Sequence, residues 1–159
     1  MLAGAAPAVA GGLAFVNVPK VLEQAPQAIA ANQRLEKEFE PRNRELVELR
    51  KELRRLEDRL EKEGVTMSEA QLKKLEADIR NRKREIRRAQ EDYREDLNLR
   101  RNEELNRLQK KVYETIVALA RDKGYDIVVG DGVIYASPSV DITAAVLKIL
   151  NEDFKGSGK

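Results

Sequence analysis

Two series of apolar residues at coiled-coil spacing fit one another in opposite directions along the chain. Leucines recur at steps of three and four residues from Leu46 to Leu60, and a second series starts at Leu72. In an antiparallel helical hairpin, facing positions have residue numbers with one common sum, and the pairs Leu60–Leu72 and Leu46–Ile86 both give 132. The sequence therefore predicts an antiparallel coiled-coil hairpin over residues 26–105, with its turn near residues 64–67. Its predicted seam comprises Leu35, Phe39, Leu46, Leu53, Leu60, Leu72, Ile79, Ile86, Tyr93 and Leu97.

Local signals mark where the first predicted helix ends and the second begins. Gly64 is placed to cap the end of the first helix, because glycine commonly follows a helix C-terminus. Ser68 and Gln71 have the spacing of a capping box, in which each side chain accepts a hydrogen bond from the backbone N–H of the other residue. The second helix is therefore predicted to begin at Ser68 and to run to about Asp122.

One part of the predicted seam lacks apolar partners. The register places Arg42 opposite Ala89, and Pro41 lies beside Arg42 in the helix interior. A proline inside a helix removes one backbone hydrogen bond and clashes with the preceding turn, at a cost of ~3 kcal/mol. Pro41, Arg42 and Ala89 are therefore a candidate hinge that would let the arm splay. A kink without any role is the alternative, because proline kinks are common in long helices.

Both ends of the chain have the composition of a small β structure. β-Branched residues surround the turn formed by Gly130, Asp131 and Gly132, which predicts a hairpin with strands at residues 126–129 and 133–136. Residues 13–18, LAFVNV, supply a third predicted strand. Three short strands with open edges are a poor core for one chain, so we expect several copies to join their sheets.

The predicted second helix is longer than the first, and its excess needs a partner. The apolar residues of this overhang are Leu105, Leu108, Val112, Ile116 and Leu119. The strands and a C-terminal helix, predicted from its N-cap Asp141 to about Asn151, are available to bury them. The predicted fold is thus mainly α with a small β body and a three-stranded sheet. Residues 13–25 and 106–151 form the β body, residues 26–105 form the coiled-coil arm, residues 1–12 are a flexible N-terminus or leader remnant, and residues 152–159 are a flexible tail.

Composition excludes several classes of function. The chain contains no Cys and no His, which removes thiol chemistry, zinc fingers and imidazole catalysis. Thirty basic and 28 acidic residues give a net charge of +2, and aromatic residues make up 4%, so a nucleic-acid binder is disfavoured. Carboxylates on a solvated helix form no catalytic arrangement, so we predict neither an enzyme nor a cofactor or metal site.

A dense run of basic residues, RNRKREIRR, lies in the second helix at residues 80–88. One interpretation is a patch for anionic partners such as acidic clients, anionic lipid or lipopolysaccharide. The other is a solvated face that pairs with acidic residues of the first helix, namely Glu45, Glu48 and Glu52, as charge runs on coiled coils usually do. The candidate patch residues are Arg80, Lys83, Arg84, Arg87 and Arg88.

Three stretches of the sequence resemble a known family. They are NVPKV, in which the first predicted strand ends, DLNLRRNEELNRL in the second arm, and GYDIVVGDGVIYASPSVDITAAVLKILN at the end. Together they are similar to the Skp/OmpH family of periplasmic chaperones for outer-membrane proteins. The resemblance covers residues 13–151, and the C-terminal motif is its most specific part.

The resemblance implies a homotrimer in the periplasm. Its three small sheets would join into a β-barrel-like body, and three helical hairpins would project as tentacles around a cavity that holds unfolded outer-membrane proteins without ATP. The candidate trimerisation residues are Leu13, Phe15, Val16, Val18, Ile127, Val128, Val129, Val133, Ile134 and Tyr135. A structural or tethering trimeric coiled coil without chaperone activity is the main alternative. A cytosolic prefoldin-like protein is a second alternative, but it lacks the C-terminal motif.

Overall fold

The computed structural model describes residues 12–157 as two strands and four α-helices. In chain order these are β1 (Gly12–Phe15), α1 (Val18–Gln24), α2 (Pro26–Glu63), α3 (Glu69–Lys123), β2 (Tyr125–Val129) and α4 (Thr143–Ser157). The chain divides into two compact units. We call Asn32–Glu103 the arm, and we call the remaining described residues, 12–31 and 104–157, the β unit.

The arm consists of α2 and α3 in antiparallel orientation. Glu57 pairs with Lys83 at 2.7 Å, and Glu38, much earlier in α2, pairs with Arg100, much later in α3. Between them the rings of Phe39 and Tyr93 meet edge to face, with their centroids 5.6 Å apart. The Phe39–Tyr93 contact is one of the pairs that the common sum of 132 predicts.

The connection between α2 and α3 contains the predicted capping box. The Gln71 backbone N–H donates to Ser68 Oγ at 3.3 Å, and the Ser68 N–H donates to Gln71 Oε1 at 3.1 Å. Residues Gly64–Thr66 form a short 3₁₀ turn directly after α2. The glycine that ends a helix in the left-handed conformation is instead Gly124, whose φ of +71° follows α3.

The core of the β unit lies beneath the last turns of α3. Val112, Ile116 and Leu119 are buried at helical spacing on one face of α3. Val146 and Leu150 of α4 are fully buried in the same cluster. Each such aliphatic side chain stabilises the fold by ~1.5–3 kcal/mol relative to an exposed one. Leu105, which was expected to be buried with this group, remains 44% exposed.

The sheet differs from the three-stranded prediction. β1 and β2 pair in parallel as a two-stranded sheet, and residues 133–136 form no strand. The other edge of β1 is paired with the segment around residues 140–142. The Phe15 N–H donates to the Val140 carbonyl, and the Ile142 N–H donates to the Phe15 carbonyl, both at 2.8 Å. The hairpin prediction was wrong for the single chain, in which β2 pairs with β1, and a lone two-stranded hairpin would be only marginally stable in water.

Two further boundaries were also predicted wrongly. The first strand ends at Phe15, and Val18 begins the short helix α1, whose first turn is capped by the side chain of Asn17. The C-terminal helix does not end at Asn151 but continues to Ser157. Within this extension, Asp153 makes an ion pair of 2.6 Å with Lys111 of α3. Residues 1–11, 158 and 159 lie outside the described residues. Of the predicted leader remnant, residues 1–12, only Gly12 is therefore described.

A small polar network joins α4 to the start of α1. The Asp141 carboxylate accepts a hydrogen bond from the Thr143 N–H at 2.8 Å, and Thr143 Oγ1 accepts one from the Asn17 N–H at 2.9 Å. Hydrogen bonds from the Thr143 side chain and backbone lower the pKa of Asp141 below its usual range. Because α4 begins at Thr143, Asp141 lies one residue before the N-cap position predicted for it, but its carboxylate still accepts the first N–H of the helix. The network also links the two ends of the chain.

Replacing Asp141 with Ala should lower the free energy of unfolding by about 1 kcal/mol at neutral pH, because α4 loses its capping acceptor. The pKa of Asp141 is lower in the folded state, so this contribution is present above about pH 4 and is lost as the pH falls through the folded pKa. Urea denaturation of both proteins at neutral and at acidic pH measures this difference. A difference that is equally large at both pH values would contradict the assignment.

Candidate functional site

The predicted seam residues lie in the interior of the arm to different depths. Leu35, Phe39, Leu46, Ile79 and Ile86 are buried, whereas Leu53, Leu60, Leu72, Tyr93 and Leu97 are half-buried. Leu49 and Leu75 are buried as well. The arm therefore has a mainly aliphatic interior but leaves parts of many seam side chains accessible to solvent.

A gap in this interior lies beside two of the three candidate hinge residues, Arg42 and Ala89. Pro41 lies inside α2, and Arg42 makes an ion pair with Asp96. Arg42 and Ala89 line the same cavity of about 400 Å³, and Ala89 also lines a second cavity of about 500 Å³. Because Ala89 offers only a methyl group, the space beside it is not filled by either helix. The structure thus brings Arg42 and Ala89 together, and their role as a hinge stays a prediction.

The basic run in α3 is divided between paired and unpaired residues. Lys83 pairs with Glu57 at 2.7 Å, and Arg82 reaches Glu52 at 2.9 Å, so part of the run does face acidic residues of the first helix. Two other patch residues interact only within α3, Arg80 with Glu76 and Arg84 with Asn81. Among residues 12–157, Arg87 and Arg88 have no ion-pair partner.

The outer face of the sheet is apolar and open to solvent. Leu13 and Ile127 are partners across β1 and β2, and they are 52% and 57% exposed. Beyond β2, Ile134 is fully exposed and Tyr135 is 80% exposed. We call these four residues the open β surface. Leu13 and Ile127 lie side by side and Ile134 and Tyr135 are neighbours in sequence, so these two exposed apolar pairs of the β unit are a candidate interface.

The remaining predicted trimerisation residues serve the β unit itself. Val16 is buried in the core of its own chain. The others, Phe15, Val18, Val128, Val129 and Val133, are half-buried. The ten residues therefore separate into six that are buried or half-buried in the single chain and the four exposed residues of the open β surface.

An apolar groove beside the sheet was not foreseen from the sequence. Tyr113 and Val117 of α3 are exposed and, with Val18 and Tyr125, line a cavity of about 420 Å³ in the β unit. The sequence feature that could have predicted this groove is the apolar pair at positions 113 and 117, which are one helical turn apart and do not belong to the seam. The β unit therefore exposes more apolar surface than the predicted strands alone.

Two kinds of site are not found in the part of the chain that the structure describes. No His, Cys, Asp or Glu residues between positions 12 and 157 converge into a group that could hold a metal ion. Over the same residues, no helix contains an apolar stretch long enough to cross a bilayer. The candidate functional regions are the arm and the open β surface.

Comparison with known proteins places these features in one family. The family model described as outer membrane protein (OmpH-like) matches residues 12–150. A chaperone protein Skp from Yersinia enterocolitica is 32% identical over 148 residues, covering 92% of this chain and 90% of that protein. A chaperone protein Skp from Pectobacterium atrosepticum is 30% identical over 149 residues, covering 93% of this chain and 90% of that protein.

The fold also has a counterpart among solved structures. A crystal structure from Caulobacter crescentus, described as an OmpH-like outer membrane chaperone, superposes with a TM-score of 0.81 at 19% identity. The match covers 96% of this chain and 90% of that one. The extent of the family match, across both the arm and the β unit, shows that the chain belongs to the OmpH-like family, which includes the Skp chaperones.

Proposed function

We propose that this protein is an ATP-independent holdase chaperone of the periplasm, which binds unfolded outer-membrane proteins in a cavity between its arms and prevents their aggregation. The observation that carries the proposal is the family match over residues 12–150, which includes both units. Relatives at 30–32% identity, aligned over nearly their whole length, are named as Skp chaperones. The client class and the compartment rest on this relationship.

The proposal includes a homotrimer held together through the β unit. A single chain leaves Leu13, Ile127, Ile134 and Tyr135 exposed, and within residues 12–157 no further strand pairs with the edge of β2 that faces away from β1. Pairing of residues 133–136 with a strand of another copy would cover these side chains and remove an open edge. The hairpin strand that is missing from the single chain would then form only in the assembly.

The arms supply the surface on which a client is held. Their surface is dominated by charged side chains, and the half-buried seam residues, such as Leu53 and Leu97, offer limited apolar area between them. Many weak contacts inside one cavity sum to useful affinity, while the surrounding charges keep the complex soluble. A surface of this kind favours clients by their unfolded state rather than by a sequence motif.

Replacing both Ile127 and Ile134 with Asp should convert the trimer into monomers. Both side chains are exposed in the single chain, so the monomer should keep its helical content, whereas unpaired charges buried in an interface cost several kcal/mol. Sedimentation velocity measures the mass, and circular dichroism checks the fold. Val65→Asp is the matched control, because Val65 is equally apolar and almost fully exposed at the turn of the arm.

If the doubly substituted protein sediments like the unchanged protein, the open β surface is not the interface. If the control also dissociates, the effect is not specific to the β unit.

Holdase activity is tested by light scattering while an unfolded outer-membrane barrel protein is diluted from urea. The unchanged protein should suppress scattering, with saturation near one trimer per client, because one cavity holds one chain. The monomeric Ile127→Asp, Ile134→Asp variant should suppress much less at the same chain concentration. A folded oligomer without any suppression would leave a structural or tethering coiled coil as the function.

A further inference from the structure

Four charged residues form two ion pairs that bridge the helices of the arm one turn apart. Arg100 donates from Nε to Glu38 Oε1 at 3.2 Å and from its NH2 group to Glu38 Oε2 at 3.3 Å. Arg42 donates to Asp96. Glu38 and Arg42 are four residues apart on α2, as are Asp96 and Arg100 on α3, so the pairs lie one above the other. We call Glu38, Arg42, Asp96 and Arg100 the clasp.

The clasp surrounds an aromatic contact in the seam. The guanidinium of Arg42 lies 5.5 Å from the centre of the Phe39 ring, which in turn meets Tyr93 edge to face. Arg100 is shared with Glu103 as well as Glu38, and these hydrogen bonds raise its pKa. The Arg42–Asp96 pair and the two rings thus form one connected group, and the Glu38–Arg100 pair lies one helical turn away from it.

The backbone and the apolar packing each have a weak point next to this group. Pro41 lies between Glu38 and Arg42 on α2 and cannot donate a hydrogen bond to the preceding turn. The cavity of about 400 Å³ beside the clasp is lined by Arg42, Asp96 and the small side chain of Ala89, together with Tyr93 and the buried Leu46. Charged contacts therefore supplement incomplete apolar packing at this level of the arm.

Other ion pairs of the arm differ from the clasp in one of two ways. The pairs Lys73–Glu69 and Arg59–Glu63 each lie within one helix, so they do not hold the two helices together. The pairs Lys83–Glu57 and Arg82–Glu52 do bridge the helices, but nearer the turn, where aliphatic side chains such as Leu49 and Ile79 are buried in the seam. Loss of charge attraction should therefore open the arm first at the clasp.

We propose that the clasp is a latch controlled by ionic strength, which sets how readily α2 and α3 separate beside Pro41 and Ala89. The clasp side chains are half-exposed, so dissolved salt reaches and screens them. At low salt the latch holds the helices together across the proline. At high salt the attraction weakens and the arm opens locally, while the apolar seam on either side stays closed.

Hydrogen exchange of the full-length assembled protein, followed by mass spectrometry of peptides, tests the latch. Peptides that cover residues 35–46 and 89–100 should exchange about three- to tenfold faster when NaCl is raised from about 20 mM to about 500 mM. Peptides from residues 108–119 of the β unit report any general effect of salt. Replacing Arg42 and Arg100 with Gln should give the fast exchange at both salt concentrations.

Two further variants keep the test specific. Lys73→Gln removes an ion pair within one helix and should leave the salt response of the clasp peptides unchanged. Exchanging the charges, as Arg42→Glu with Asp96→Arg, should preserve a salt response because an ion pair can still form. Exchange at the clasp that does not depend on salt, or that keeps its salt dependence without Arg42 and Arg100, would overturn the proposal.

Discussion

The difference in length between the two long helices determines the rest of the structure. α2 has 38 residues and α3 has 55, so an antiparallel hairpin leaves the end of α3 without a partner from α2. The face that carries Val112, Ile116 and Leu119 must be buried by something else, and only the two ends of the chain remain. β1, α1, β2 and α4 therefore collect around this end and form the β unit.

The β unit satisfies its interior but not its outer surface. Val16, Val146 and Leu150 complete a core around α3, while Leu13 and Ile127 face outward on the opposite side of the sheet. A two-stranded sheet has only one buried face and keeps a free edge on β2. Association of copies through this surface would provide what the single chain lacks. In the proposed assembly, the same contacts that complete the sheets also place several arms around one space.

Much of the helical architecture was predictable, because the spacing of apolar residues along the sequence indicates which residues share one face of a helix. The common sum of facing positions predicted the Phe39–Tyr93 contact, and the Ser68–Gln71 box placed the start of the second helix to within a residue. The overhang of α3 likewise indicated which residues form the core. These features depend on near neighbours in sequence or on one repeating register, so composition and spacing are sufficient.

The features that were missed depend on partners distant in sequence or outside the chain. Residues 133–136 have the composition of a strand but form none in the single chain. The segment that bonds to β1 beyond them is the one at Val140 and Ile142, both of which hydrogen-bond to the backbone of Phe15. The clasp was also not foreseen, since heptad spacing identifies apolar positions and does not say which flanking charges will meet. Arg42 was read as a defect in the seam, whereas its guanidinium bridges Phe39 and Asp96.

In the proposed mechanism, one client is enclosed by several arms that a shared β body holds together. Native mass spectrometry of the complex with an unfolded outer-membrane barrel protein tests this enclosure, because it counts chains of both kinds in one particle. We expect three copies of this protein with one client, and no complex of one copy with one client. Complexes whose copy number rises steadily from one with protein concentration would contradict it, since they would show independent binding by single arms.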